Sequence, residues 1–444
     1  MNGYRDLRVA LLGGGSVGAQ VARLLLEQGD ELAARVGARL QLIGIAVRDL
    51  DAKRDVELPR ELLTTDAEQL VLGADIVIEL MGGIEPARTL ILRAIEGGAD
   101  VVTANKALIA SHGAELAEAA EQVGAQLSYE AAVAGAIPII RPLRESLAGD
   151  HITRVMGIVN GSTNYILDRM DRFGDSAEDA MRVASELGYL EADPTLDVEG
   201  YDAAQKATIL ASIAFHSEVP VEAVYREGIT EVTLSQIEAA AQAGYVIKLL
   251  AIAERVQTAD GSFGVSARVY PALISRMHPL AAVHGGKNAV FVEAEAAGEL
   301  MFYGAGAGGV ETASAVLGDV VSAARRHVVG GPGIPGSSHA DLPILPIGEV
   351  LTRYQIMLRV HDETGALAAI AGLLAERGVG AASVVQSMPE DLDLAAVDAA
   401  EGTATLVIGT HTAREADLAA TVQALRESSV VAEVTSVLRL EGNQ

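Results

Sequence analysis

Along the first half of the chain, apolar positions fall into short, nearly continuous runs. Segments whose apolar residues recur every three or four positions separate them. Leu7–Leu12 is the first run, and after a glycine-rich turn Ala19, Val21, Ala22, Leu24 and Leu25 follow helical spacing. Further runs at 41–47, 75–80, 101–104 and 126–129 predict strands, with a helix over 87–95. Such runs alternating with amphipathic helices describe a parallel sheet covered on both faces. Past residue 151 the texture changes. His151–Val159 alternates as a strand and leads to a helix over Tyr165–Phe173, and a glycine cluster at 303–312 opens a helix through Ser322. Residues 329–349 are dense in proline and glycine and read as a linker. Beyond it a strand (354–360), a helix (366–377), two strands (382–387, 403–410), a helix (413–426) and a strand (430–440) spell βαββαβ, a ferredoxin-like order.

The turn after the first strand is Gly13-Gly14-Gly15-Ser16-Val17-Gly18, a G-x-G-x-x-G in strand–turn–helix context. Gly13 permits the tight turn, Gly15 lets backbone approach a pyrophosphate, and Gly18 allows close helix–strand packing. With Ser16 and Val17, the helix start offers free N–H groups and a positive dipole to phosphates. A glycine turn without a ligand is the plainer alternative. The second strand ends at Arg48, with Lys53 and Arg54 nearby, where an NAD-selective fold usually has an acid. These cations suit a 2′-phosphate and predict NADP, while Asp49 keeps NAD open. Strands three and four lead into Met81-Gly82-Gly83 and Asn105-Lys106, at the sheet end where ligands gather. Lys106 sits at a helix start, a poor place for a merely solvated cation.

Composition narrows the chemistry. There are no cysteines, which excludes thiolate nucleophiles, iron–sulfur clusters and cysteine zinc sites. The nine histidines are scattered, with no metal-binding pair. A net charge of −27 argues against nucleic acid or an anionic membrane as partner. No signal peptide and no apolar run long enough for a membrane span is read, so a cytoplasmic location is expected.

The segment 188–210, GYLEADPTLDVEGYDAAQKATIL, carries the sharpest chemical signal. Lys206 follows Asp202 by four residues and shares a helix face with Ile209, Leu210 and Ile213, the stripe a helix buries. Glu191, Asp193, Asp197 and Glu199 precede it. Acids gathered round an inward lysine suit an amine-bearing polar substrate; the alternative is a surface pair worth about 0.3–0.5 kcal/mol. The Asn160-Gly161-Ser162-Thr163-Asn164 turn offers N–H groups and hydroxyls for a carboxylate, or Ser162 or Thr163 as a plain N-cap. Glu130, beside an apolar, glycine-bearing loop, allows either a hard monovalent cation or simple packing under the sheet.

Taken in order, GGGSVG, ELMGG, TANKALIA, YEAAVAGAIPII, GIVNGSTNYIL, ASELGYLEADPTLDVEGYDAAQKATILA and YGAGAGGVETASAVLGDVV resemble homoserine dehydrogenase over roughly Arg8 to Val329. The resemblance implies NADPH- or NADH-dependent reduction of L-aspartate 4-semialdehyde to L-homoserine, and a homodimer. It also implies an α/β architecture: a Rossmann domain over 1–145 completed by a helix near 307–329, and a mixed-sheet substrate and dimerisation domain over 146–306. A linker over 330–352 and a C-terminal domain over 353–441 follow. By position the proton-relay lysine falls on Lys206 and its partner on Asp202. The substrate residues fall on Glu191, Asp197 and Thr163, the cofactor-side lysine on Lys106, and a sodium or potassium site on Glu130, Val133, Gly135 and Ile137. Gly308 and Glu311 fall beside the cofactor, Glu311 where much of the family has proline. The C-terminal domain resembles an ACT module in Val360-x-Asp362-x-x-Gly365-x-Leu367-x-x-Ile370. That implies feedback inhibition by L-threonine near Asp362 and Gly365; a dimerisation module that binds nothing is the alternative. A nucleotide-binding regulatory protein without chemistry is the competing reading of the whole chain.

Overall fold

The computed structural model describes residues 5–190, 193–331, 336, 338–387 and 403–442. Six parallel strands form the first sheet: β1 (Arg5–Leu12), β2 (Ala38–Ala46), β3 (Leu63–Thr64), β4 (Ile76–Glu79), β5 (Asp100–Thr103) and β6 (Leu127–Ser128). They are ordered β3-β2-β1-β4-β5-β6. The order reverses between β1 and β4, which opens a crevice at the carboxyl ends of these strands. β1 serves two cores by alternation. Leu7, Val9 and Leu11 pack with Val21, Ala22 and Leu25 of the helix Ser16–Glu27, while Ala10 and Leu12 join the core on the other face. A helix from far down the chain, Gly309–Val329, lies beside Ser16–Glu27 and adds Ala313, Val316, Val320 and Ala324 to the first core.

The second sheet contains β7 (Ile152–Ile158), β8 (Tyr225–Arg226), β9 (Tyr245–Gln257), β10 (Phe263–Ser275), β11 (Lys287–Ala294), β12 (Gly298–Ala305), β13 (Leu351–His361), β14 (Ala381–Ser387), β15 (Thr403–Thr410), β16 (Ala413–Arg414) and β17 (Val431–Glu441). Its main path runs β12-β11-β7-β9-β10-β17-β13-β15-β14, with β8 on β10 and β16 on β13. The helix Tyr201–Ala214 packs between the helix Lys106–Val123 of the first layer and strands β9 and β10 of the second. Its first turn therefore faces the region between the two sheets.

The C-terminal module has the ferredoxin-like order β17-β13-β15-β14 under the helices Ala366–Ala375 and Glu415–Glu427. Ile356, Leu358, Ile370, Leu406, Ile408 and Leu418 are at its centre. It is not set apart by its linker as the proline- and glycine-rich stretch suggests. β17 runs parallel to β10 over Ala272–Ile274 and Arg439–Glu441, so one sheet continues through both parts. The linker is also tied down. Leu345 N donates to Val265 O at 2.8 Å and Leu342 N to Ser217 Oγ at 2.9 Å. No helix among the described residues is long and apolar enough to cross a membrane.

Candidate active site

The glycine turn is shaped by contacts that only glycine allows. Gly13 has φ +105°, donates to Ala46 O at 2.9 Å, and would bring a Cβ to 2.6 Å from Leu80 O. A Cβ on Gly18 would overlap the Gly13 carbonyl, whereas one on Gly15 meets nothing within 4 Å. Gly15 and Ser16 are exposed, and the helix Ser16–Glu27 begins there with no side-chain cap and no acid in its first turn. A second helix start converges on it, since a Cβ on Gly309 would lie 3.1 Å from Ser16 O. Gly308 (φ +128°) caps that helix, and the exposed Glu311 curls back against it. Arg48 and Lys53 are exposed past the end of β2, while Arg54 folds back onto Asp49 O at 2.7 Å and Ala52 O at 2.9 Å. An open cradle between two helix starts, with cations at its rim, fits a dinucleotide pyrophosphate.

Glu79, buried at the end of β4, was not among the expected residues. Its Oε1 accepts from Met81 N at 2.7 Å and Gly82 N at 3.1 Å, and its Oε2 from Thr103 Oγ1 at 2.6 Å. Thr103 Oγ1 in turn accepts from Asn105 N at 3.0 Å, and Asn105 Nδ2 donates to Gly83 O at 2.6 Å. Asn105 also N-caps the helix Lys106–Val123, accepting from Leu108 N. This network sets the start of that helix, and hence Lys106, against the Met81–Gly83 turn. Glu79 lies within the ELMGG stretch, but nothing in the sequence distinguishes it from a strand-end acid facing solvent.

Lys106 Nζ lies 3.1 Å from Asp202 Oδ1. Lys206 Nζ donates to Asp202 Oδ2 at 2.7 Å and to Val159 O at 2.6 Å. Two lysines, one from each side of the crevice, thus share one carboxylate. Lys206 and Asp202 are both about nine-tenths buried, whereas Lys106 is 40% exposed. Burial opposes the charge on Asp202, but Lys206, Lys106 and the Asn160 amide outweigh it and hold the carboxyl well below its ordinary value. Asn160 Nδ2 donates to Asp202 Oδ2 at 2.9 Å and to Asp197 Oδ1 at 2.6 Å. Asp197 goes the other way. Burial raises its carboxyl, the Asn160 hydrogen bond only partly compensates, and the Asp202 charge adds to the rise.

The homoserine dehydrogenase family model matches residues 138–321, and that family's NAD-binding-domain model matches residues 13–130. A homoserine dehydrogenase from Corynebacterium glutamicum is 53% identical over 435 residues, 98% of this chain and 95% of its own length. One from Mycobacterium tuberculosis is 55% identical over 440 residues, 99% and 98% of the two chains. The chain belongs to the homoserine dehydrogenase family. The crystal structure of a homoserine dehydrogenase from Thiobacillus denitrificans has the same fold, with a TM-score of 0.89 at 38% identity and 99% of each chain covered. Membership makes the protein an NAD(P)-dependent oxidoreductase that acts on a CH–OH group, which removes the reading without chemistry.

The remaining residues expected at a homoserine dehydrogenase site take different places in this structure. Glu191 lies outside the described residues. Asp193 is exposed and accepts from Thr195 N at 3.1 Å, and Glu199 pairs outward with Arg226 at 3.7 Å, so only Asp197 and Asp202 of the described acids reach the site. Asn160, not Ser162 or Thr163, caps the helix Gly161–Phe173. Thr163 is 1% exposed, and its hydroxyl donates to Asn160 Oδ1 at 2.9 Å, which helps hold Asn160 in place. The Glu130 carboxylate is not a free ligand either. It accepts from Ile139 N at 2.6 Å, Ile140 N at 2.7 Å, and Arg141 N and Nε at 3.0 and 3.1 Å. The loop does turn sharply, with Ala134 and Gly135 both at φ 57°. The glycine cluster before Glu311 follows directly on β12. Asp362 and Gly365 are exposed where β13 meets the helix Ala366–Ala375, with Gly365 capping it at φ +97°.

Beneath the Glu130 loop, Asp319 accepts from Glu130 N at 2.8 Å and faces Arg141 Nε at 3.6 Å. Burial pushes it up to about 7, against the Glu130 N–H and Arg141. The folded state therefore binds a proton that the unfolded chain releases above about pH 4. Asp319 makes stability fall as pH rises from about 4 to about 7, and flatten above. Urea unfolding at pH 5 and pH 7.5 should show a smaller fall for Asp319→Asn than for wild type; equal falls would contradict this.

Proposed function

We propose that catalysis, the interconversion of L-aspartate 4-semialdehyde and L-homoserine, runs through Lys206 as proton donor to the substrate oxygen. The observation that carries this is the carboxylate of Asp202 held between two lysines. An ammonium has three protons, and two of those on Lys206 have acceptors among the described residues, Asp202 and Val159. The third is available to an oxygen entering from the crevice. Bound at the Gly13–Gly18 turn, the reduced dinucleotide supplies the hydride. As negative charge grows on the aldehyde oxygen, Lys206 stabilises it and then protonates it. Asp202, ionised throughout, keeps Lys206 aimed, and Lys106 ties that carboxylate to the cofactor side. Asp197, whose ionised form is penalised by burial, gains from a cationic partner and suits the substrate ammonium, with Glu191 as its proposed companion. Purified protein, homoserine and NADP should give reduced cofactor, read by its absorbance; no turnover with either NADP or NAD would overturn the proposal.

NADP is the proposed preferred cofactor, supported by Arg48 and Lys53 at the rim, with Arg48 standing where an NAD-selective fold usually has an acid. Met81 and Gly82, held by Glu79, line the same turn, and Gly308 and Glu311 flank it. Arg48→Ala should raise KM for NADP about tenfold and leave that for NAD within about twofold; equal losses would contradict the assignment. A sodium or potassium ion at the backbone carbonyls of Glu130, Val133, Gly135 and Ile137 is proposed on the left-handed turn there, the Glu130 carboxylate being committed elsewhere. The substrate domain is proposed as a homodimer interface and the C-terminal module as an ACT module that takes L-threonine near Asp362 and Gly365. Threonine added to the assay should lower the rate, and Asp362→Ala should blunt the effect. Unchanged rates across millimolar threonine would remove that role.

A further inference from the structure

The segment 225–229 separates the turn bearing Asp197 and Asp202 from the last strand of the C-terminal module, and strand alternation gives it two working sides. On the first side Arg226 donates to the Glu199 carbonyl, and its guanidinium carbon lies 3.5 Å from the centroid of the Tyr201 ring. Gly228 presses on the same turn so closely that a Cβ would overlap Val198 O, and Ile229 N donates to that oxygen at 2.7 Å. The gripped backbone, 198–201, is the stretch between Asp197 and Asp202.

On the second side the hydroxyl of Tyr225 hydrogen-bonds Glu227, and Arg439 of β17 donates to Glu227 Oε2 at 2.9 Å. The same guanidinium donates to Oε1 of Glu415 at 2.7 Å, at the head of the helix Glu415–Glu427, and Tyr354 of β13 donates to that oxygen at 2.6 Å. Arg439 is 9% exposed and Glu415 4%. A cation buried to this degree has to keep its partners, because an uncompensated charge there is strongly unfavourable. Arg439 thus joins β17 and that helix to Glu227, whose chain neighbours Arg226 and Gly228 rest on the backbone beside the active-site acids.

We propose that Arg439 is a positioning residue for the reaction: by clamping Glu227 it holds the segment 225–229 against the turn that presents Asp197 and Asp202, which makes the C-terminal module part of the substrate site's scaffold. This rests on the reading of Asp197 as a substrate-side carboxylate. An effector that shifts the module acts through this contact on homoserine affinity before cofactor affinity.

Steady-state kinetics of the full-length protein test it. Arg439→Met should raise KM for homoserine about tenfold while KM for NADP stays within about twofold and kcat changes little, with Arg439→Lys in between. Glu227→Gln strips the charge from the same contact on a side chain that is 41% exposed, so folding is spared, and the weakened clamp should shift KM in the same direction. If Arg439→Met does not fold, Glu227→Gln decides. A general structural role would lower Tm and leave the two KM values in their wild-type ratio, and that result would overturn the proposal. Asp197→Asn, measured alongside, separates the two claims. If it raises KM for homoserine while the Arg439 and Glu227 variants do not, the clamp is wrong and the site stands; if it leaves KM unchanged, the site reading itself falls.

Discussion

Lys206→Ala should lower kcat by about a thousandfold or more while the Kd for NADP changes by less than about threefold. Lys206 sits in the helix Tyr201–Ala214 on the substrate side, and the glycine turn lies across the crevice, so the cofactor cradle loses nothing. The buried carboxylate left behind still has Lys106 at 3.1 Å and the Asn160 amide at 2.9 Å. Its loss of stability should thus lie at or below the low end of the roughly 3–5 kcal/mol typical of a broken buried pair. Lys206→Arg should not rescue. A planar, wider guanidinium cannot keep both the Asp202 and Val159 contacts in the space an ammonium occupies. Assays of initial rate and fluorescence titration of NADPH check both halves; retained turnover in Lys206→Ala would remove the lysine from the chemistry.

The second large effect is on the cofactor. In Gly18→Ala the new methyl overlaps the Gly13 carbonyl, which is backbone and has no rotamer to yield. The helix start must move away from the turn, and both first-turn N–H groups and the pyrophosphate site move with it. Weakening of NADPH binding by about a hundredfold is expected, with about 1–3 kcal/mol of lost stability from overpacking. Gly15→Ala is the informative contrast. Its Cβ meets nothing within 4 Å, so unfolding should be unchanged while NADPH binding falls, because the methyl stands where phosphate oxygens approach. Normal binding by both variants would refute the phosphate assignment of this turn.

The nucleotide half was legible because its strands are short, apolar and punctuated by glycines with fixed geometric duties. Lys206 and Asp202 were legible because their spacing put charge on a stripe that helices bury. Other parts left weaker signals. β9 and β10 gave no alternation to read, since YVIKLLAIAERVQ is buried on both faces over most of its length. Glu79, Asn105 and Asn160 are ordinary polar residues in sequence, and only their hydrogen bonds mark them as supports of the site. The crowd of acids upstream of Lys206 overstated the site, because Asp193 and Glu199 turn to local partners. The union of two sheets through β10 and β17 depends on pairing between residues far apart in the chain, which no local pattern encodes.

The most direct measurement follows a single turnover of L-aspartate 4-semialdehyde with enzyme-bound NADPH in light and heavy water, for wild type and Lys206→Ala. Wild type should oxidise NADPH with a clear solvent isotope effect. Without the Lys206 amine, the same step should slow by about a thousandfold despite full cofactor occupancy. Hydride transfer at the wild-type rate in the variant would contradict the mechanism.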